Sequence, residues 1–288
     1  MKKIALTLSA LLCVLFLILT LALGYVYFTV YSPERFTSGV SSSIDDAELE
    51  TLIHGQIDLY SDTYGFDSDI IKSNINIDEL HKLTAKYFTD YYSAFVNGEP
   101  TFPEFTYSDD TLYTVVSENT DKALRPELYV SEESKQLLAE RYSNGISSVI
   151  SSLSINTLYN TALGIREEYL SFASLGKYFI PCASVLVLLI LITAILTVRT
   201  KHRKTAYCIT LASFAATSLF AVPMTYISHL DLPSKLNVSV GSSSIYINAI
   251  YSFLITKASY VYIFAAAAAF ALFITAVIWN VINSKSNN

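Results

Sequence analysis

The residues best suited to chemistry are histidines beside carboxylates. His229-Leu230-Asp231 places an imidazole two positions from an acid, and His81 has Asp78 before it on a predicted helix. Such a pair can work as a general base. Near a membrane its substrate would be a lipid or lipoprotein acyl ester. The plain alternative for each histidine is a surface or packing residue. Asp67-Ser68-Asp69 and Asp109-Asp110 could offer oxygens to a cation, but residues of this kind more often cap helices or sit in solvated turns. The chain has no His-Glu-x-x-His, calcium loop, Gly-x-Ser-x-Gly elbow, Walker loop or dinucleotide fingerprint. No metal and no cofactor is implied, and ATP-driven work by this chain alone is not expected. Cys13, Cys182 and Cys208 lie in or beside apolar runs without a Cys-x-x-Cys pair, and they read as small buried hydrophobes.

The elements that must position these residues are membrane spans. The chain of 288 residues is 52% hydrophobic and 15% charged, which is too apolar for an ordinary soluble domain. Four apolar runs stand out: Ile4 to Val30, Tyr178 to Val198, Ala206 to Ile227 and Tyr260 to Ile282. Each is long enough to cross a bilayer and contains no Asp, Glu, Lys, Arg or His. The first follows Met1-Lys2-Lys3. Ala22-Leu23-Gly24 resembles a signal-peptidase site, but the run is too long for a typical signal core, and an uncleaved anchor is expected. The absence of ionisable groups within the runs argues against an ion pump or secondary transporter.

Charge fixes the expected orientation. Arg199, Lys201, Arg203 and Lys204, with His202, crowd the hairpin between the second and third runs, without an acid. Lys2, Lys3 and Lys285 fall on the same side of a four-span protein. The positive-inside rule makes that side cytoplasmic. Seven residues, Arg199–Thr205, separate the two runs. A loop so pinned cannot follow a nucleic-acid groove, so its four bases are expected to contact anionic lipid headgroups, and nucleic acid is not an expected partner. Residues 32–177 carry 24 acids and 10 bases, a net of −14, and are expected outside the cytoplasm. Residues 228–259 are expected to form a second outer loop.

The large segment reads as helical. A helix is expected around Asp46–Tyr60. Asn76-Ile77-Asp78-Glu79 is close to a capping box. It opens an apolar face of Ile77, Leu80, Leu83, Tyr87, Tyr91 and Phe95, and Gly98 reads as its stop. Ser131-Glu132-Glu133 opens another helix, with Leu138, Tyr142, Ile146, Val149 and Leu153 on its apolar side and a break near Gly145 or Gly164. Leu112–Val116 is a short strand candidate. In the second outer loop, Ile245 to Leu254 suggests a helix lying at the interface or extending the fourth span. Small residues at Ala212 and Ala216, and at Ala265 and Ala269, would let two spans approach closely.

The sequence thus predicts an all-α protein: an anchor at 1–31, an acidic helical extracytoplasmic domain at 32–177 and a three-span domain at 178–288. The expected setting is a bacterial plasma membrane with both chain termini cytoplasmic. The expected partners are the lipid bilayer and a membrane or envelope protein. The expected function is non-enzymatic: the large domain binds a partner or senses an envelope ligand. Two alternatives stand beside it. One is an outer-leaflet acyl-modifying enzyme using His81, His229 or Asp231. In outline alone, four spans with a large loop after the first, the chain is similar to the membrane transacylases of Gram-positive envelopes, but no catalytic histidine motif matches. The other is an accessory subunit of a membrane transport complex.

Overall fold

A computed structural model describes residues 2–285, apart from 102, 103, 106, 108, 109, 119, 124–129, 154, 201, 202 and 231–243. Among the described residues every regular element is helical and no strand occurs. In chain order the helices are α1 (Lys2–Thr29), α2 (Pro33–Ser41), α3 (Asp46–Tyr64), α4 (Ser68–Lys72), α5 (Ile77–Asn97), α6 (Asp110–Glu118), α7 (Thr120–Ala123) and α8 (Glu132–Ser151). There follow α9 (Asn156–Gly164), α10 (Arg166–Ser174), α11 (Phe179–Thr200), α12 (Arg203–Ser228), α13 (Ser244–Tyr251) and α14 (Ala258–Lys285). Four helical stretches are long and apolar enough to cross a membrane: Ile4–Thr29, Arg166–Thr197, Cys208–Ser228 and Ser244–Ile278. The chain divides into two compact units. A span unit comprises Met1–Gly39, Glu167–Asn237 and Tyr251–Asn288, and a polar unit comprises Val40–Arg166 and Val238–Ile250.

In the span unit, large apolar side chains face outward. Phe264 is 77% exposed, and Leu188, Leu219 and Val222 are similarly open. A water-facing surface of this kind would be costly, whereas hydrocarbon accommodates it. The inward faces carry small and hydroxylated residues. Ser9 and Thr193 share a hydrogen bond between α1 and α11, and Cys13 Sγ lies 3.4 Å from the same Thr193 hydroxyl. About two turns further along α1 and about three back along α11, Thr20 donates to Cys182 Sγ at 3.4 Å. Ala216 and Ala269 are buried where α12 packs on α14, as the small-residue spacing predicts. Phe214 and Phe270 fill the adjoining space with ring centroids 5.2 Å apart. Cys13 and Cys182 are buried as expected. Cys208 is exposed, contrary to expectation, and lines an open groove between α12 and α1.

The polar unit is organised by caps, of which sequence reading picks out Asn76, Ser131 and Gly98 but not Asp45 or Gly65. Asp45 accepts from the Ala47 amide to start α3, Asn76 accepts from the Glu79 amide to start α5, and Ser131 accepts from the Ser134 amide to start α8. Gly65 and Gly98 end α3 and α5 in the left-handed region, at φ 75° and 71°. Leu80, Tyr87, Tyr91 and Phe95 of α5 are buried, while Ile77 and Leu83 are half-buried. Tyr142, Ile146 and Leu153 are fully buried along and just beyond α8.

Two expectations change here. Residues 112–116 form part of α6, not a strand, because Val116 turns inward on a helix that packs against α8. The long helix does not break at Gly145 but ends at Ser151, a break the sequence does not predict. A new helix starts at Asn156, and the expected break near Gly164 follows where α9 gives way to α10. Gly145 is required for space: a Cβ there would strike the Tyr60 ring.

Candidate functional site

Polar side chains of the polar unit converge on the first turn of α3. The helix begins at Asp46 because Asp45 caps it, and Asp46 and Glu48 sit where the helix dipole favours negative charge. Asp46 is hydrogen-bonded to His81 Nδ1, from the second turn of α5. His81 is therefore held by a carboxylate 35 residues away, not by neighbouring Asp78. With Asp46 ionised, Nδ1 carries the proton and Nε2 is the basic nitrogen. Glu48 Oε1 accepts from Asn248 Nδ2 at 2.6 Å. One helical turn thus ties α3 to α5 and to α13.

A second polar row follows along α3. His54 Nδ1 lies 3.9 Å from Glu50, and His54 Nε2 is buried without a hydrogen-bond partner among the described residues. Asp58 accepts from Lys72 Nζ at 2.5 Å and from Ser68 Oγ at 2.6 Å. These bonds, Lys72 first and Ser68 second, hold the Asp58 carboxyl below its ordinary range. Asp67 caps α4 through the Asp69 amide. The acids of Asp67-Ser68-Asp69 are thus a helix cap, and no cluster with metal-ligand geometry occurs among the described residues.

The other half of the unit is pinned by tyrosines. Tyr246 of α13 is 1% exposed, and its ring stacks on Phe88 with centroids 6.0 Å apart. Its hydroxyl donates to the Leu153 carbonyl at 2.9 Å. Tyr87 accepts from the Ile155 amide at 3.3 Å, and Tyr159 donates to the Glu99 carbonyl at 2.7 Å. Of the segment expected to lie at a membrane interface or to extend the fourth span, the residues up to Ile250 belong to the polar unit, where Ile245, Tyr246 and Ala249 are buried. The segment does also lead into the fourth span, through a wider π turn at Ser252–Lys257. Arg166 closes α5 from the other direction: Nε donates to Phe95 O at 2.9 Å and to Val96 O at 3.1 Å. A Cβ at Gly98 would lie 3.0 Å from that guanidinium, so this glycine serves both the turn and the close approach.

The sequence-derived candidates are not gathered in one place. His81 lies in the polar unit; His229 is exposed in the turn after α12, in the span unit. Asp231 lies outside the described residues, as do Lys201, His202 and Asp109. Arg199 ends α11, and Arg203 and Lys204 begin α12. Sequence reading missed Asp46, Asn248, Tyr246 and Arg166. Tyr246 carried a faint signal, as an aromatic within an apolar stretch of an otherwise polar loop. Arg166 carried none, since its acceptors are main-chain carbonyls some 70 residues earlier. No protein-family model, curated protein or solved structure matches this chain.

Proposed function

We propose that this chain is a plasma-membrane protein whose polar unit lies outside the cytoplasm, binds a partner or senses an envelope ligand, and does so without catalysis. The four basic residues Arg199, Lys201, Arg203 and Lys204 support a cytoplasmic hairpin in contact with anionic headgroups, with both termini on that side. The observation that carries the functional reading is the insertion of Tyr246. The loop before the fourth span supplies a core helix to the polar unit, so that unit is built from both segments expected outside. It is covalently continuous with the first, second and fourth spans. A ligand that altered α13 would act directly on the chain entering α14, which suits a unit that reports to membrane partners.

The face formed by Leu80 and Tyr87 is core and cannot be the docking surface. Leu59 and Leu137 are large apolar side chains exposed on α3 and α8, and they are better probes of partner binding. The test is mild crosslinking in native membranes, affinity purification and mass spectrometry. A stoichiometric membrane partner that is lost with Leu59→Ser or Leu137→Ser, and kept with His81→Gln, is the expected result. An accessory subunit of a transport complex would reveal itself by a pump as that partner.

The second reading, an outer-leaflet acyl-modifying enzyme, draws on the His81–Asp46 pair. It predicts no stable partner. It also predicts loss of a lipid modification in a normally folded His81→Gln protein, read by lipid analysis of the variant strain.

A further inference from the structure

The span unit holds an apolar cavity of about 400 Å³, at the end of the spans opposite the basic hairpin. Leu21, Tyr25 and Phe28 of α1 line it, with Phe179 of α11, Phe253 of the π turn and Tyr262 of α14. Its size is that of a ligand site, roughly 300–1,000 Å³. Two other apolar grooves, of about 400 and 440 Å³, run along the far half of α1 and are lined mainly by aliphatic side chains.

Three features set the aromatic cavity apart. Its hydroxyls are already engaged within the protein: Tyr25 donates to Leu254 O at 3.2 Å, Tyr262 to Leu21 O at 2.8 Å, Thr29 to Tyr25 O at 2.6 Å and Thr20 to Cys182 Sγ at 3.4 Å. The interior therefore offers hydrocarbon contact and spends no donor on a polar occupant. Its walls also depend on glycine. A Cβ at Gly39 would strike the Phe253 ring, and one at Gly24 would come within 3.1 Å of Phe179. The π turn that carries Phe253 is a departure from α geometry of a kind often found at functional sites. Finally, cations stand at the rim. The Arg35 guanidinium lies 5.1 Å from the Tyr27 ring centroid and 5.9 Å from that of Phe28, a wall residue. Lys177 is exposed two residues before Phe179.

We infer that this cavity holds one acyl chain of an anionic glycerophospholipid, with Arg35 and Lys177 facing the lipid phosphate. At this depth in a bilayer, lipid tails are the hydrocarbon on hand. A cation beside a wall residue of an apolar slot, with a second two residues from the wall residue Phe179, matches a molecule with a phosphate joined to a tail. Only the choice of leaflet rests on the proposed topology; the binding does not.

Native mass spectrometry of the full-length chain tests this, with the detergent-purified protein given equal amounts of phosphatidylglycerol and phosphatidylcholine of matched acyl chains. The expected result is one retained lipid per chain, with phosphatidylglycerol preferred about fivefold. Arg35→Gln reduces the preference and leaves retention. Val261→Trp fills the cavity from its open side and abolishes retention, while Val222→Trp, on the outward face of α12, retains the lipid. Leu21→Phe is the second filling variant, used if Val261→Trp is not monodisperse. Glycerol phosphate alone does not displace the lipid. The inference is overturned by the absence of a stoichiometric lipid, by retention that survives the filling variants, by a preference indifferent to Arg35, or by displacement with glycerol phosphate.

Discussion

The two units use the same residue types in opposite ways. In the span unit, leucines, isoleucines and phenylalanines face out, while threonine hydroxyls bond one turn back along their own helix, as they also do in the polar unit, where Thr84 donates to Leu80 O at 2.8 Å. Among the spans, Thr193 donates to Leu189 O at 2.7 Å, Thr217 to Ser213 O at 3.0 Å and Thr275 to Ala271 O at 2.8 Å. In the polar unit the aliphatic and aromatic residues go in; tyrosine hydroxyls reach across to distant main chain in both units, Tyr246 and Tyr159 here and Tyr25 and Tyr262 among the spans. The difference is one of solvent. Hydrocarbon gives no reward for burying Leu and no partner for a stray hydroxyl. Water rewards burial of apolar surface, and any hydroxyl taken inside must find an acceptor.

The sharpest way to break this contrast is to remove the ring that completes the polar unit. Tyr246→Ala takes away a fully buried aromatic and leaves the Leu153 carbonyl unpaired. It should cost about 3–5 kcal/mol and make the unit protease-sensitive in limited proteolysis. Next in size is a matched pair of truncations. Ile53→Ala, at a position with 0% exposure, should cost about 2–5 kcal/mol in thermal melts. Ile190→Ala, at 51% exposure on α11, should change the span unit little, and equal losses at both positions would erase the distinction. Gly145→Ala forces a Cβ into the Tyr60 ring and should cost about 1–3 kcal/mol, visible as a lower melting temperature.

Alkali tests the core of the polar unit chemically. Burial pushes the Tyr91 and Tyr142 phenols up to about 12, against about 10 in an unfolded chain. The folded unit keeps protons that the unfolded chain releases. This stabilisation is complete below about pH 10 and is lost as pH rises toward about 12. Tyrosinate absorbance should therefore appear together with unfolding of the polar unit. The smallest effect lies at the acid end. Asp58 is depressed by Lys72 and Ser68, so its stabilisation is present above the unfolded value of about 3.9 and is lost as pH falls through the folded one. Asp58→Asn should flatten the acid limb of the stability profile by lowering the neutral plateau slightly, with the acid end unchanged.

Much of this fold is written locally. Asn76, Gly98 and Ser131 mark helix ends because capping needs only neighbours a turn away. The apolar face of α5 is visible because helical period needs only the segment itself. The four spans are legible for the same reason. The strand candidate at 112–116 fails because a run of β-branched residues that short fits either geometry, and packing on α8 decides. The pairing of Asp46 with His81, the bond from Asn248 to Glu48 and the seat of Tyr246 depend on residues far apart in the chain. No local pattern encodes such contacts, and the site was legible only as separate histidines and acids.

The most direct measurement is labelling in intact cells with a membrane-impermeant maleimide, on a chain whose Cys13, Cys182 and Cys208 have been replaced by alanine. Lys86, exposed on α5, and Lys204, in the basic hairpin, are changed to cysteine one at a time. Labelling of Lys86→Cys in intact cells, with Lys204→Cys labelled only after lysis, is the result predicted for a polar unit outside the cytoplasm. Labelling of Lys204→Cys alone in intact cells would contradict it, and would move the polar unit and the partner sought for it to the cytoplasm.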